Sequence, residues 1–324
     1  MHALTIVCPV DYSDCSRRAL QFAGALADHF GARLVVLHVF DPVLAGASAL
    51  HQFDVTGADG QAELRSFIGE HLPSAIREGT QLEQLLLVGS PGREILKAAR
   101  SREADLLVLG THGFSGARKA VFGSTLQGVL RRARVPVLAV PLQDHREAGI
   151  QAPLISSGPI LAPVDFSPES RAAAAAAVGV ARALGLPVML LHAIAPSPPS
   201  IQWRRKGAPR VSIGDPSALM ADLAEALETD VPIDSRIVDG EPAEQIARLA
   251  REKRAALIVM SLGSSVMRGR RRKPGSIAYR VLCLAPVPVL ALPETTSGRL
   301  YVHYLHHRAI VATEQLHGGK PTAR

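Results

Sequence analysis

Short runs of valine, isoleucine and leucine alternate along the chain with longer segments whose apolar positions recur at helical spacing. The first run, Leu4–Pro9, is apolar on both faces and reads as a buried strand. A helical pattern follows it. Ser13 or Ser16 is placed to cap the start, and Gly31 can end it. Further strands are predicted at Arg33–Phe40, Gln84–Val88, Leu106–Gly110 and Val135–Val140. Helices are predicted at about residues 61–78, 91–102 and 124–133. Strands that alternate with helices in this way build βαβ units around a parallel sheet.

The pattern then starts again. CPVDYSDCSRRAL (residues 8–20) parallels APVDFSPESRAAA (residues 162–174), so Asp11 corresponds to Asp165. VVLHV at 35–39 parallels MLLHA at 189–193, and ADLLVLG at 104–110 parallels AALIVMS at 255–261. GSTLQGVLRRARVPVLAVP at 123–141 parallels GSIAYRVLCLAPVPVLALP at 275–293. The order of the blocks is kept throughout, which is the mark of an internal duplication. Two domains are expected, at residues 1–142 and 159–293. A polar linker at 143–158 joins them, and a tail at 294–324 has no counterpart in the first copy. In the second copy the helix start is stronger still. Ser167 is a cap, Pro168 takes the first helical position, and Glu169 stands in the first turn. Gly185 closes that helix.

Composition narrows the picture. The 324 residues are 47% hydrophobic but only 4% aromatic, so the cores must be built from Ala, Val, Leu and Ile. The longest apolar stretch, Ala172–Ala195, is broken by Arg182, Gly185 and Pro187. It reads as a helix and a strand rather than a membrane span. No secretory signal is visible. Three cysteines (Cys8, Cys15 and Cys283) without a CxxC pair suit neither a disulfide framework nor a zinc site, and a cytoplasmic location is expected. The net charge is +7, yet the first 150 residues hold 15 basic and 15 acidic side chains, so the surplus lies in the second half and the tail. Without a recognisable nucleic-acid-binding fold, that surplus reads as solvated surface.

In an open doubly wound sheet, ligands bind at the carboxyl ends of the strands, where the strand order reverses. That rule brings Pro9-Val10-Asp11, His38-Val39 and Gly110-Thr111-His112-Gly113 to one crevice. After the fourth strand comes GTHGFSGARKAVFGST, with Gly110, Gly113 and Gly123 followed by Ser124 and Thr125. Glycines let backbone amides approach an anion closely, and Gly123 precedes a helix whose first turn offers unpaired N–H groups. No Walker lysine is present, so backbone and hydroxyls would do the holding. Turn formation alone is the other reading of these glycines.

The spacing Gly-x2-Gly-x9-Gly-Ser at 110, 113, 123 and 124 resembles the ATP-binding signature of the universal stress protein family. DLLVLGTHG, VFGST and VPVLAV are also similar to the family's consensus, as is PVDYS around Asp11, although Cys8 stands before Pro9 where the family has valine. The resemblance covers both repeats. It implies a tandem pair of α/β doubly wound domains of the adenine nucleotide alpha hydrolase-like type, each with a five-stranded, mainly parallel sheet. It implies ATP, with or without Mg, as ligand. By position, Pro9, Val10, Asp11 and Val39 would surround adenine and ribose, and Gly110, Gly113, Gly123, Ser124 and Thr125 would surround ribose and phosphates. It further implies that the last strands of the two copies meet edge to edge, with room for a homodimer.

The second copy departs from the signature. Ser261 and Ser264 stand opposite Gly110 and Gly113, and MRGRRRKPGS precedes Ile277 with Arg268, Arg270, Arg271, Arg272 and Lys273. Asp165, Ala193 and Ser276 leave a weaker site. No catalytic residue and no metal ligand is assigned. Asp11 is the one carboxylate the motif places in the crevice, Ser115 fails the GxSxG pattern, and THGF lacks the second histidine of an HxGH motif. Three readings stay open: a nucleotide-binding regulatory protein, a scaffold of the same fold, and an enzyme of adenylate chemistry.

Overall fold

The apolar runs of each copy form the strands of a parallel sheet in the computed structural model, which describes residues 4–42, 57–112, 123–142, 157–195, 215–227, 229–262 and 277–293. In the first copy these strands are β1 (Thr5–Val10), β2 (Arg33–Phe40), β3 (Leu82–Val88), β4 (Leu106–Gly110) and β5 (Val137–Val140). Between them run α1 (Asp14–Phe30), α2 (Ala58–His71), α3 (Ser74–Gly79), α4 (Pro91–Ser101) and α5 (Ser124–Leu130). The second copy contributes β6 (Ile160–Pro163), α6 (Pro168–Leu184), β7 (Val188–Ile194), α7 (Pro216–Ala226) and β8 (Ile233–Asp239). It continues with α8 (Pro242–Glu252), β9 (Leu257–Ser261), α9 (Ile277–Leu284) and β10 (Val289–Leu292).

The chain forms two compact units, and the second takes residues 155–287. In the first, the strands lie in the order β3-β2-β1-β4-β5, all parallel, and β10 follows β5. That last strand pairs antiparallel with β5, Leu290 opposite Leu138. In the second unit the order is β9-β6-β7-β8, again parallel. The order reverses direction between β1 and β4, because the chain builds outward from β1 through β2 to β3 and then returns to β4.

The scarcity of aromatics shapes the packing. Ala19, Ala23 and Ala27 recur every four residues on α1 and are fully buried, as are Ala173, Ala177 and Ala181 on α6. A row of methyl groups lets each helix lie close on strands built from larger residues, such as Val7, Leu34 and Leu37 of the first unit and Leu190 of the second.

The helix predicted over residues 61–78 is two helices. Pro73 is the cause: it offers no N–H to continue the ladder, and it forces Leu72 into an extended conformation (φ −112°, ψ 123°) between α2 and α3. The fifth strand starts at Val137 rather than Val135, since Pro136 cannot donate to a sheet. Its carbonyl instead accepts the Leu107 N–H at 3.0 Å. The polar linker outside residues 157–158, the basic stretch 268–273 and the tail fall outside the described residues.

Ser13 and Ser167 are the caps of α1 and α6, and Gly31 and Gly185 end these helices in the left-handed region at φ 58° and 67°. At Gly185 an added Cβ would meet no atom within 4 Å, so the cost of a side chain there is purely conformational. Gly185→Ala is expected to lower stability by about 1 kcal/mol with no change elsewhere, read from the urea midpoint of the full chain.

Candidate functional site

β2, β1 and β4 are neighbours and run the same way, so the segments ending at Asp11, Val39 and His112 meet at one edge of the first unit. Val10 lies in register with His38, and Gly110 with Val140. The Thr111 N–H donates to the Val140 carbonyl, and the Gly123 N–H donates to the Thr111 carbonyl, each at 2.9 Å. These two bonds seat the start of α5 on the end of β4. Gly110, Gly123, Ser124 and Thr125 therefore share that edge. Gly113, which the spacing assigns to the same loop, lies outside the described residues, as does Ser115.

Asp11 has a local task that the sequence reading did not give it. Its Oδ1 accepts hydrogen bonds from the Ser13 N–H at 3.2 Å and from the Ser13 hydroxyl at 2.5 Å. The Ser13 Oγ in turn accepts the Ser16 N–H at 3.2 Å and so caps α1. The circle closes at Ser16, whose hydroxyl donates to the Ser13 carbonyl at 3.0 Å and accepts the Asp11 N–H at 3.3 Å. The second copy repeats the circle with Asp165, Ser167 and Ser170. The visible signal was the pattern Asp-x-Ser-x-x-Ser, present in both copies.

The residue inside this turn is held in the left-handed region in both copies, Tyr12 at φ 62° and Phe166 at φ 63°. For an aromatic residue that conformation costs on the order of 1 kcal/mol. Ring contacts offset the cost. Tyr12 stacks on His38 with centroids 4.5 Å apart and meets the edge of Phe67 from α2 at 5.2 Å. Phe166 lies over His192 at 4.6 Å. His38 Nδ1 is 2.8 Å from the Val10 carbonyl, and His192 Nδ1 is 2.8 Å from the Val164 carbonyl. A carbonyl can only accept, so each ring carries a proton on Nδ1 and ties the end of one strand to the next. Burial, aided by Glu63, pushes the Tyr12 phenol pKa up.

Two glycines of the predicted loop differ in why they are glycine. A Cβ on Gly110 would come within 2.9 Å of the Cys15 carbonyl carbon and 3.0 Å of its Cβ, so β4 needs glycine to pass the first turn of α1. Gly123 has φ −56° and ψ 142°, a conformation open to any residue. Ser124 and Thr125 follow it in the first turn of α5, where helix geometry leaves N–H groups without an intrahelical acceptor. Nearby, Thr111 is buried, and its hydroxyl bonds His112 Nδ1 at 2.9 Å. In the second copy Ser261 ends β9 where Gly110 ends β4.

Burial alone would raise the Asp165 carboxyl, but the hydrogen bonds from Ser167 and Ser170 outweigh it and hold its pKa below the ordinary range. A carboxyl whose folded pKa is lowered adds stability above its unfolded value, near pH 4, and loses it as pH falls through the folded value. Asp165→Asn should therefore cost about 1 kcal/mol at pH 7, a modest figure because the carboxylate is exposed. The difference from wild type should shrink as pH falls from about 4 and close once pH is below the folded value, in a series of urea titrations across pH.

Comparison with known proteins identifies the family of the fold. Residues 3–141 and 157–293 each match the universal stress protein family. A universal stress protein of Thermus aquaticus is 34% identical over 146 residues, covering 42% of this chain and 97% of that protein. The crystal structure of a putative universal stress protein from Pseudomonas aeruginosa shares the fold over 95% of this chain and 98% of its own, with a TM-score of 0.60 at 18% identity. A universal stress protein solved in complex with cAMP aligns with 44% of this chain and 98% of its own, at 28% identity and a TM-score of 0.33. The chain belongs to the universal stress protein family and carries two of its domains in tandem.

Proposed function

We propose that the first copy holds an adenine nucleotide, ATP, at the carboxyl ends of β1, β2 and β4, and that occupancy sets which surface the protein offers to its partners. The observation that carries this reading is Gly123. It is bonded to the end of β4 and opens α5, yet its backbone angles do not call for glycine. A missing side chain there leaves room for an anion to reach the first-turn amides. Pro9, Asp11, Val39, Gly110, Gly123, Ser124 and Thr125 are all accessible or half-accessible from solvent, which suits a ligand wall, whereas the Val10 side chain is buried and can offer only its backbone.

In this reading the phosphates are held by the amides and hydroxyls of Ser124 and Thr125, with Gly113 and Gly123 giving clearance and Gly110 offering its backbone at the end of β4. The base and ribose lie against the backbone of Pro9, Val10 and Val39. Asp11 gives Oδ1 to the cap of α1 and turns the carboxylate group toward a ribose hydroxyl. ATP supplies the triphosphate charge that the helix start attracts, and any Mg would arrive with it.

A scaffold role is favoured for the second copy by a specific observation. Its Asp165 circle has the same geometry as that of Asp11, although Ser261 replaces the glycine at the strand end. The circle is thus a folding device whether or not a glycine loop accompanies it.

The first copy's role is tested by thermal unfolding of the full chain with ATP-Mg. At a tenfold excess over the dissociation constant, binding adds about 1.4 kcal/mol, a rise of roughly 2 °C for a chain of this size. Gly123→Val should abolish that rise and leave the nucleotide-free melting temperature within about 1 °C of wild type. A wild-type protein indifferent to about 5 mM ATP-Mg sinks the reading.

A further inference from the structure

At the opposite end of β4 from the nucleotide edge, the first unit has a pocket of about 140 Å³. Its floor is apolar: Ala99, Ala104, Leu107 and Val135. Its rim carries three exposed arginines, Arg100, Arg132 and Arg134, with Glu103 as the one acid.

The walls are fixed by backbone bonds. The turn that ends α4 passes through Glu103 at φ 49° and returns the Ala104 N–H to the Ala99 carbonyl at 2.8 Å. The turn after α5 is tied by Arg132 and Ala133 N–H groups to the Val129 carbonyl at 2.9 and 2.7 Å. The opening is therefore formed in advance, and a space of this size holds a single six-membered ring.

The arginines are what make the pocket specific. Among the described residues, none of the three is held by a carboxylate. A cation near a helix C-terminus is accounted for by the helix dipole, and Arg100 in the last turn of α4 fits that account. Arg134, in the turn before β5, does not. The second copy is an internal control. Ala250, Ala255 and Ile258 keep the same apolar floor positions, but Leu284 and Pro286 stand where the first copy has Arg132 and Arg134. The fold does not need arginine there.

We propose that this pocket binds a small monoanion with a compact apolar body, of the aromatic carboxylate type. The ring takes the floor of Ala99, Ala104 and Leu107, and the carboxylate pairs with Arg132 and Arg134. The site is separate from the nucleotide crevice, and its occupancy does not depend on ATP.

A ligand-observed NMR titration of the full chain tests it, with benzoate, benzyl alcohol and inorganic phosphate as probes. Benzoate should saturate with a dissociation constant on the order of 1 mM, and both other probes should bind at least about tenfold more weakly. Joint replacement Arg132→Ser and Arg134→Ser, both on the surface, should weaken benzoate about tenfold without moving the melting temperature. Ala99→Leu should fill the floor and block binding. Absence of saturation by about 20 mM, or benzoate binding unchanged in the double arginine variant, overturns the proposal. Phosphate or benzyl alcohol binding as tightly as benzoate overturns it too, since either would show that only half of the site is real.

Discussion

One hydrogen-bonded circle, a carboxylate turned back onto the serine that starts the next helix, fixes the geometry on which the rest of each domain is built. Asp11, Ser13 and Ser16 set where α1 begins, and that start sets how closely the helix approaches the end of β4. The need for Gly110, the left-handed turn at Tyr12 and the stacking of Tyr12 on His38 all follow from that placement. The second domain solves the same problem with Asp165, Ser167, Phe166 and His192. Residues that a ligand could use are thus first of all residues the chain needs in order to turn sharply from strand to helix.

Much of this was legible in the sequence. Arg33–Phe40 and Leu106–Gly110 are strands with the bounds their apolar runs suggest, because buried parallel strands carry an unbroken apolar signal. The caps at Gly31, Ser167 and Gly185 were readable because each has a local chemical reason, and of the two serines offered for the start of α1 the structure uses Ser13. The break at Pro73 was missed, since helical periodicity runs on through 61–78 even though the proline interrupts the ladder. The candidate site was legible as a gathering of strand ends. Two things were hidden: the Asp11 carboxylate has a partner in Ser13, and Gly110 answers to Cys15. The first had a local signal in the repeated Asp-x-Ser-x-x-Ser pattern that went unread, and the second depends on a contact in space that spacing along the chain does not encode. The arginine-rimmed pocket was invisible for the same reason, since Arg100 and Arg134 meet only in three dimensions.

Duplication lets each copy serve as a reference for the other. What both share (the serine circle, the αL aromatic, the histidine bonded to a strand-end carbonyl, the alanine-lined helix) is what the fold demands. What they do not share, such as Arg132 against Leu284, marks where the two domains are free to differ in chemistry. The distinction needs no alignment with other proteins, and it separates structural from functional readings at single positions.

Strand β10 is the last of the described strands to be made, yet it lies against β5 of the first domain. A ribosome releases Val137–Val140 long before Val289–Leu292 exists, so the nascent first repeat presents a bare strand border while the second is being translated. The brevity of β5, four residues, limits what a stray chain could grip during that interval. Cutting the protein between its repeats would make that temporary border permanent, so the two halves are not interchangeable building blocks even though they descend from one pattern.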